Sequence, residues 1–220
     1  MSRIVDKKIP CPRCHAEVPF TFYEVINTEE NPELKEKVMD GSVFDLDCPL
    51  CHRSSRIGYP LLYHDPLHSA MFMMTEDRTG EPILALVDFL RNSGFLPDDP
   101  HLMLRGVHQP PELSEKVLIA DEELDDRVVE ILKSMISAAW RTAHQNNEPD
   151  LVVLDVVDDE LTFIILDSPD GMPELQPFFM DAYDAALKTY KPFFPADPAD
   201  NLFVDADWVR KLYEPGSVLH

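Results

Sequence analysis

Two stretches of the chain, Cys11-Pro12-Arg13-Cys14 and Cys48-Pro49-Leu50-Cys51, repeat one pattern and use every cysteine present. Two residues between paired thiols let both sulfurs of a turn aim at one point, and two such turns complete a tetrahedral shell. The spacing predicts one structural Zn2+ per chain, held by Cys11, Cys14, Cys48 and Cys51. Four thiolates leave no coordination position for water or substrate, so such an ion holds a fold together and takes no part in a reaction. His15 and His52 follow the second cysteine of each pair. Cys-x-x-Cys-His is also the attachment signature of c-type haem. Haem attachment requires export, and Met1-Ser2-Arg3-Ile4-Val5-Asp6-Lys7-Lys8 is too polar for a signal peptide. The position after a knuckle's second cysteine often takes positive φ, where Gly is best and His is among the enriched side chains. A dithiol redox pair of the thioredoxin type would lie in a βαβ pattern, which surrounds neither pair.

The elements around the cysteines must bring the two turns together. Arg3 to Ile9 reads as a strand into the first turn, and the alternating, aromatic Glu17-Val18-Pro19-Phe20-Thr21-Phe22-Tyr23 as a strand out of it. Asn31 or Thr28 is placed to cap a helix over Pro32 to Met39, stopped by Gly41. Val43 to Leu46 leads into the second turn as a strand, and Arg56 to Tyr59 and Leu61 to Tyr63 follow as short strands. Two metal-binding hairpin tips with a helix between them have the plan of an enlarged zinc ribbon. About 60 residues bury little core, so the metal is expected to supply much of the folding energy, on the order of 10 kcal/mol in small zinc peptides.

Charge narrows the function. The chain of 220 residues carries 19 basic and 41 acidic residues, a formal net charge of −22. Up to Asp65 there are 8 basic and 11 acidic residues, and beyond it 11 and 30. Phosphate backbones are held mainly by Lys and Arg, so the second part is expected not to bind DNA or RNA. No stretch approaches the roughly 20 apolar residues of a membrane span. The chain reads as cytoplasmic, and in that reducing compartment paired Cys-x-x-Cys turns hold metal rather than form disulfides.

The run from Cys-Pro-Arg-Cys through Glu33-Leu34, Gly41, Cys-Pro-Leu-Cys and Tyr59-Pro60-Leu61-Leu62-Tyr63-His64-Asp65 resembles the bacterial CpXC domain family, defined by paired Cys-Pro-x-Cys motifs. The likeness covers residues 9 to 66 and extends more weakly to Leu113-Ser114-Glu115-Lys116 and Leu124-Asp125-Asp126-Arg127. The resemblance implies metal binding by the four cysteines and says nothing about an activity. Members more usually carry Gly where this chain has His15 and His52, which leaves open whether either histidine joins the ligand set.

Past Asp65 the sequence changes character, and the expected organisation is a zinc-ribbon-like domain over 1–66 and an acidic α+β domain over 67–220. His64-Asp65-Pro66-Leu67-His68 spaces two histidines like a metal pair, but Pro66 breaks the helix that spacing needs, so a polar loop is expected. Ser69 to Thr75 is an apolar, methionine-rich strand of the core type. Helices are expected from Ile83 to Asn92, from Glu112 to Leu118, along the amphipathic run Val128 to Trp140, and over Asp181 to Tyr190 and Asp205 to Tyr213. Leu102 to Val107 reads as a strand, and Leu151 to Val157 with Glu160 to Leu166 as a hairpin. Turns fall at Pro97-Asp98-Asp99-Pro100 and Pro169-Asp170-Gly171. Hairpin strands with segregated helices indicate α+β.

No phosphate loop, Gly-x-Ser-x-Gly or His-Glu-x-x-His is present, and the sequence names no nucleophile or base. The favoured function is a non-enzymatic protein-interaction or regulatory module with a structural four-cysteine zinc, whose partner is another protein or a small-molecule ligand. The alternative is an enzyme with its pocket in the C-terminal domain and zinc only structural. A nucleic-acid-binding ribbon resting on Lys7, Lys8, Arg13, Arg53 and Arg56 comes third, opposed by the charge.

Overall fold

The computed structural model describes residues 2–96, 99–145, 147–167 and 171–214. It divides into two compact units, Met1–Val117 and Leu118–His220. The architecture is α+β, as the pattern of elements indicates.

In the first unit, β1 (Arg3–Pro10) and β2 (Glu17–Asn27) form a long antiparallel hairpin whose tip is the first cysteine turn. The helix α1 (Glu33–Met39) follows, buried through Leu34 and Val38. Its N-cap residue is Pro32, without a side-chain cap. The expected caps are engaged elsewhere, because Asn31 Nδ2 donates to Glu33 Oε1 over 2.9 Å and the Thr28 side chain bonds Asp65. Gly41 stops the helix at φ +76°, and a Cβ there would stand 3.1 Å from the Arg56 guanidinium. The backbone angle favours glycine at this point, and any side chain there would also have to displace the Arg56 guanidinium.

Val43 and Phe44, expected in a strand, form a short 3-10 turn with both side chains buried. The strands β3 (Asp45–Asp47) and β4 (Ser54–Arg56) then pair as a two-stranded ribbon of three residues each, with the second cysteine turn at its tip. Beneath the ribbon, Phe20, Phe22, Phe44 and Tyr59 pack ring against ring at 4.9 to 5.8 Å between centroids. Tyr59 satisfies its hydroxyl by donating to the Val43 carbonyl at 2.9 Å. Edge-to-face pairs of this kind add to the burial of the rings themselves.

The chain continues through β5 (Leu61–Asp65) and β6 (Ala70–Met74), an antiparallel pair, and later through β7 (Met103–Val107), parallel to β6. Together with the first hairpin they make a five-stranded mixed sheet in the order β1-β2-β5-β6-β7. Tyr63 and Phe72, both fully buried, stack across β5 and β6 at 5.9 Å. The methionines Met71 and Met74 are core, as the apolar run implies. The helix α2 (Glu81–Asn92) buries Ile83 and Val87. The helix α3 (Pro110–Asp121) is pinned to α1, the Ser114 hydroxyl donating to the Val38 carbonyl at 2.6 Å.

These pairings move the boundary between units. A cut after residue 66 would sever the β5–β6 hairpin, whereas the structure divides at Val117/Leu118. The charge step at Asp65 follows surface composition, while the unit is set by which strands exchange hydrogen bonds and share a core. With that division the units carry 12 basic and 19 acidic residues, and 7 basic and 22 acidic, respectively.

In the second unit α4 (Asp126–Ala143) is the central element, packing on α5 (Met180–Tyr190), α6 (Ala206–Leu212) and β8 (Leu151–Val157). Its start is capped by Asp125, whose side chain accepts from the Arg127 amide, and Ile131 joins Val204, Trp208, Val209 and Leu212 in one apolar cluster. The strand β9 (Glu160–Leu166) pairs with β8 through a two-residue turn in which Asp158 and Asp159 both take positive φ, the twist a tight hairpin requires. A further edge strand, β10 (Glu174–Pro177), has no signal in the sequence, since it is exposed throughout and carries no alternation. The turns expected at Pro97–Pro100 and Pro169–Gly171 lie partly outside the described residues. Among the described residues no helix is long and apolar enough to cross a membrane.

Candidate metal centre

The two cysteine turns are built alike. In the first, the Cys11 amide donates to the Ala16 carbonyl and the His15 amide to the Cys11 carbonyl, each at 2.9 Å. In the second, the Cys48 amide donates to the Arg53 carbonyl at 3.1 Å and the His52 amide to the Cys48 carbonyl at 3.0 Å. Each closure swings the chain through a residue in the left-handed region, His15 at φ 61° and His52 at φ 53°. That geometry is why the family's usual residue there is glycine, and why each histidine is exposed with its backbone rather than its ring committed. The double variant H15G/H52G is therefore expected to keep the metal content of the parent and to be more stable by about 0.5 to 1 kcal/mol per site, read as a higher melting temperature. A drop in bound metal would place a histidine in the shell.

The four predicted cysteines meet. Their sulfurs all lie within 4.8 Å of one another, with Cys11 to Cys51 at 3.9 Å and Cys14 to Cys48 at 3.7 Å. A tetrahedron of ~2.3 Å metal–sulfur bonds has edges of ~3.8 Å. A disulfide would need about 2.05 Å, and all four cysteines are free. Both of these contacts run between the turns, so an ion at this point would staple the β1–β2 hairpin to the β3–β4 ribbon. Cys11 and Cys48 are buried, Cys51 is half-buried and Cys14 is exposed.

The backbone prepares the sulfurs for a cation. The Cys51 and Leu50 amides lower the Cys48 thiol to about 6, and those of Cys14 and Arg13 lower Cys11. Arg13 N–H stands 3.4 Å from Cys11 Sγ and Cys51 N–H 3.5 Å from Cys48 Sγ. The other member of each pair moves the opposite way. The Arg53 amide favours the Cys51 thiolate, but burial and the three neighbouring sulfurs outweigh it and push the thiol up to about 11. Against the Ala16 amide, Cys14 is raised by burial and by Cys48 and Cys11. Four negative charges cannot gather within 4.8 Å unaided, and a divalent ion removes that cost. Arg13 and Arg53, close by with His52 and Ser54, add positive charge beside the four sulfurs. Two other cations of the suggested nucleic-acid surface are engaged: Lys7 pairs with Glu24 at 3.3 Å and Arg56 with Asp45 at 3.2 Å.

The sequence pattern of the CpXC protein family matches residues 9–133, more than half of the chain. The chain belongs to the CpXC family. The match runs well past the cysteines, through β6, β7 and α3 into α4, and takes in both stretches where the resemblance was weaker. The CpXC sequence pattern therefore covers β2, β5, β6 and β7 of the five-stranded sheet as well as both cysteine turns. No curated protein and no solved structure matches this CpXC chain.

Part of the loop expected over residues 64–68 is the end of β5. His64 lies half-buried in β5, and no third ligand gathers with it and His68 among the described residues. The expected polar loop instead contains a buried carboxylate, Asp65, hydrogen-bonded to His68. Alternation along β5, with residues 61, 63 and 65 facing inward, is the signal that could have placed it.

Proposed function

We propose that this protein is an interaction or regulatory module in which zinc is a structural ion outside any reaction. The observation that carries the reading is the meeting of four sulfurs from two hairpin tips at tetrahedral spacing, which closes the coordination shell against water and substrate. Soft tetrahedral thiolate sites take zinc or iron, and zinc suits an ion with no redox task. The module is a ribbon of the zinc-ribbon kind, enlarged by α1 and merged with a larger sheet.

The partner in this reading is another protein, taken by the second unit. Its surface has a groove of about 190 Å³ lined by the exposed Met135 and Phe179 together with Leu132, Ile136 and Phe163. Exposed apolar groups gathered at one groove are characteristic of docking surfaces. One experiment tests both parts: wild type and F179D are purified from the native cell, their metal is analysed, and the co-purifying proteins are compared. The expected result is one zinc per chain in both and a partner lost from F179D. Iron in place of zinc, or identical sets of companions, overturns the corresponding half.

A second reading, an enzyme with its site away from the metal, is favoured by one observation. The buried Asp65 and its partners line a pocket, and they do so in the first unit rather than in the C-terminal part where such a pocket was expected. The docking groove and this pocket lie in different units and share no residue.

A further inference from the structure

The five-stranded sheet ends on β1, and the outer side of that strand is open. Pro19 has no N–H to give to Lys8 opposite it, and the Tyr23 N–H points away from β1, to the Tyr59 hydroxyl at 3.3 Å. Both therefore belong to the non-hydrogen-bonded pairs of the β1–β2 ladder, as does Thr21 between them. Residues of such pairs turn their N–H and C=O groups outward on both strands. Their counterparts Lys8, Ile4 and Asp6 thus present backbone donors and acceptors along the outer side of β1, and Pro10 adds a carbonyl. All four are exposed, and among the described residues no strand other than β2 pairs with β1.

The charges along this edge complement themselves. Lysines on an edge strand commonly repel other strands. Here, however, Lys7 is drawn to Glu24 at 3.3 Å and over the Phe22 ring, and Arg3 is paired with the same Glu24 at 2.9 Å. That leaves Asp6 and Lys8, opposite charges two residues apart on one face of the strand. Lys8 has no ion-pair partner among the described residues, and Asp6 accepts from the Thr21 hydroxyl at 2.7 Å. When two antiparallel copies of the strand meet about a twofold axis, outward-turned residues must face outward-turned residues, so only a few registers are open. With the axis at Lys7, Asp6 of each copy faces Lys8 of the other, Ile4 faces Pro10, and the half-buried Val5 faces the half-buried Ile9. The two Lys7 side chains lie opposite each other, each already turned to its own Glu24. Moving the axis one residue either way sets Asp6 against Asp6 or Lys8 against Lys8. Like charges directly opposite disfavour both of those registers.

We propose that two copies of this chain associate through β1, antiparallel and with the twofold axis at Lys7, so that one sheet runs through both. Asp6 of one copy and Lys8 of the other exchange both backbone hydrogen bonds, and Ile4 donates its N–H to the Pro10 carbonyl across the junction. An Asp6–Lys8 ion pair lies on each side of the axis. An acidic segment laid on this edge would meet Asp6 and a basic one Lys8, whereas a second copy satisfies both. The junction uses no residue of the docking groove or of the Asp65 pocket.

The test measures the mass of the full chain with its metal by light scattering over a concentration series. Wild type is expected to reach twice the mass of one chain. D6K and K8D each turn two attractions into two repulsions and should weaken association about 10-fold or more. The double variant D6K/K8D restores opposite charges at both contacts and should associate like wild type. D6K mixed with K8D should form a heterodimer, since the two lysines of one chain then face the two aspartates of the other. Hydrogen exchange reads the junction directly: the Ile4, Asp6 and Lys8 amides should be protected where the dimer forms and lose that protection on dilution, while those of Val5 and Lys7, bonded to β2, keep theirs. Should a charge variant lack the parent's melting transition, K8P takes its place, because it removes an outward N–H and leaves the β1–β2 ladder intact, and the dimer should again be lost. A single-chain mass for wild type at every concentration, or a dimer indifferent to these substitutions, overturns the proposal. So does a double variant that stays monomeric, a pair of single variants that stay apart when mixed, or protection of the three amides that does not change on dilution.

Discussion

Metal-free protein is expected to lose β3, β4 and both cysteine turns as ordered structure while β5, β6 and β7 remain folded. A two-stranded ribbon of three-residue strands is not stable by itself in water. Its attachment runs through the sulfur contacts and the aromatic cluster of Phe20, Phe22, Phe44 and Tyr59. Removing the ion withdraws metal-binding free energy on the order of 10 kcal/mol, and returns four crowded thiols to a site that favours the ionised form at only two of them. The stacked Tyr63–Phe72 pair and its buried neighbours owe nothing to the metal, so the sheet persists. This narrows the expectation that the ion supplies much of the folding energy of the first 66 residues, because β2 and β5 belong to a larger core. Hydrogen exchange with and without chelator reads the difference. The amides of Cys48, His52 and Ile57, each bonded within or beneath the ribbon, should lose about 100-fold or more in protection. Those of Leu61 to Asp65 should change little. C48S should reproduce the chelated pattern. Equal protection in both states would mean that the cysteines hold no ion that matters to the fold.

Replacement of Asp65 by alanine is the second large effect, expected to cost about 3 kcal/mol at neutral pH. The carboxylate is the shared acceptor of His68, Lys35 and Tyr63, and its loss leaves polar groups desolvated without their partner. The figure sits at the low end for a buried pair because the Lys35 and His68 side chains are 19% and 16% exposed. The D65N variant keeps an acceptor for the hydroxyls and should cost less. The pH dependence has a definite sign. The folded protein holds Asp65 below its ordinary value, so it favours the ionised form. The stabilisation is complete above the unfolded carboxyl's value near ~4 and is lost as pH falls through the folded one. Urea unfolding of wild type and D65A should therefore show a gap at pH 7 that closes below about pH 4. A gap that widens on acidification would remove the carboxylate from this role.

The two effects differ in how far the sequence reveals them. The cysteine centre is legible because its chemistry is carried by rare residues at fixed spacing, and two Cys-x-x-Cys turns in one chain have few other uses. The glycine-like role of His15 and His52 follows from the same motif, since the turn imposes positive φ whatever residue occupies it. The Asp65 group is not legible in that way. Its partners Thr28, Lys35, Tyr63 and His68 are common residues spread over 41 positions, and Pro66 argues against the one spacing that stood out.

Periodicity and turn residues were enough to specify the α+β class, the hairpins, most helices and each Cys-x-x-Cys turn, because each depends on interactions between residues near in sequence. Which strands join into one sheet depended on side chains meeting across long separations. β2 lies parallel to β5, and β6 parallel to β7, across intervening segments that contain helices, and only their shared core draws the first unit through Val117. The same long-range packing buries Asp65, and a carboxylate taken out of water recruits whatever donors the fold places within reach.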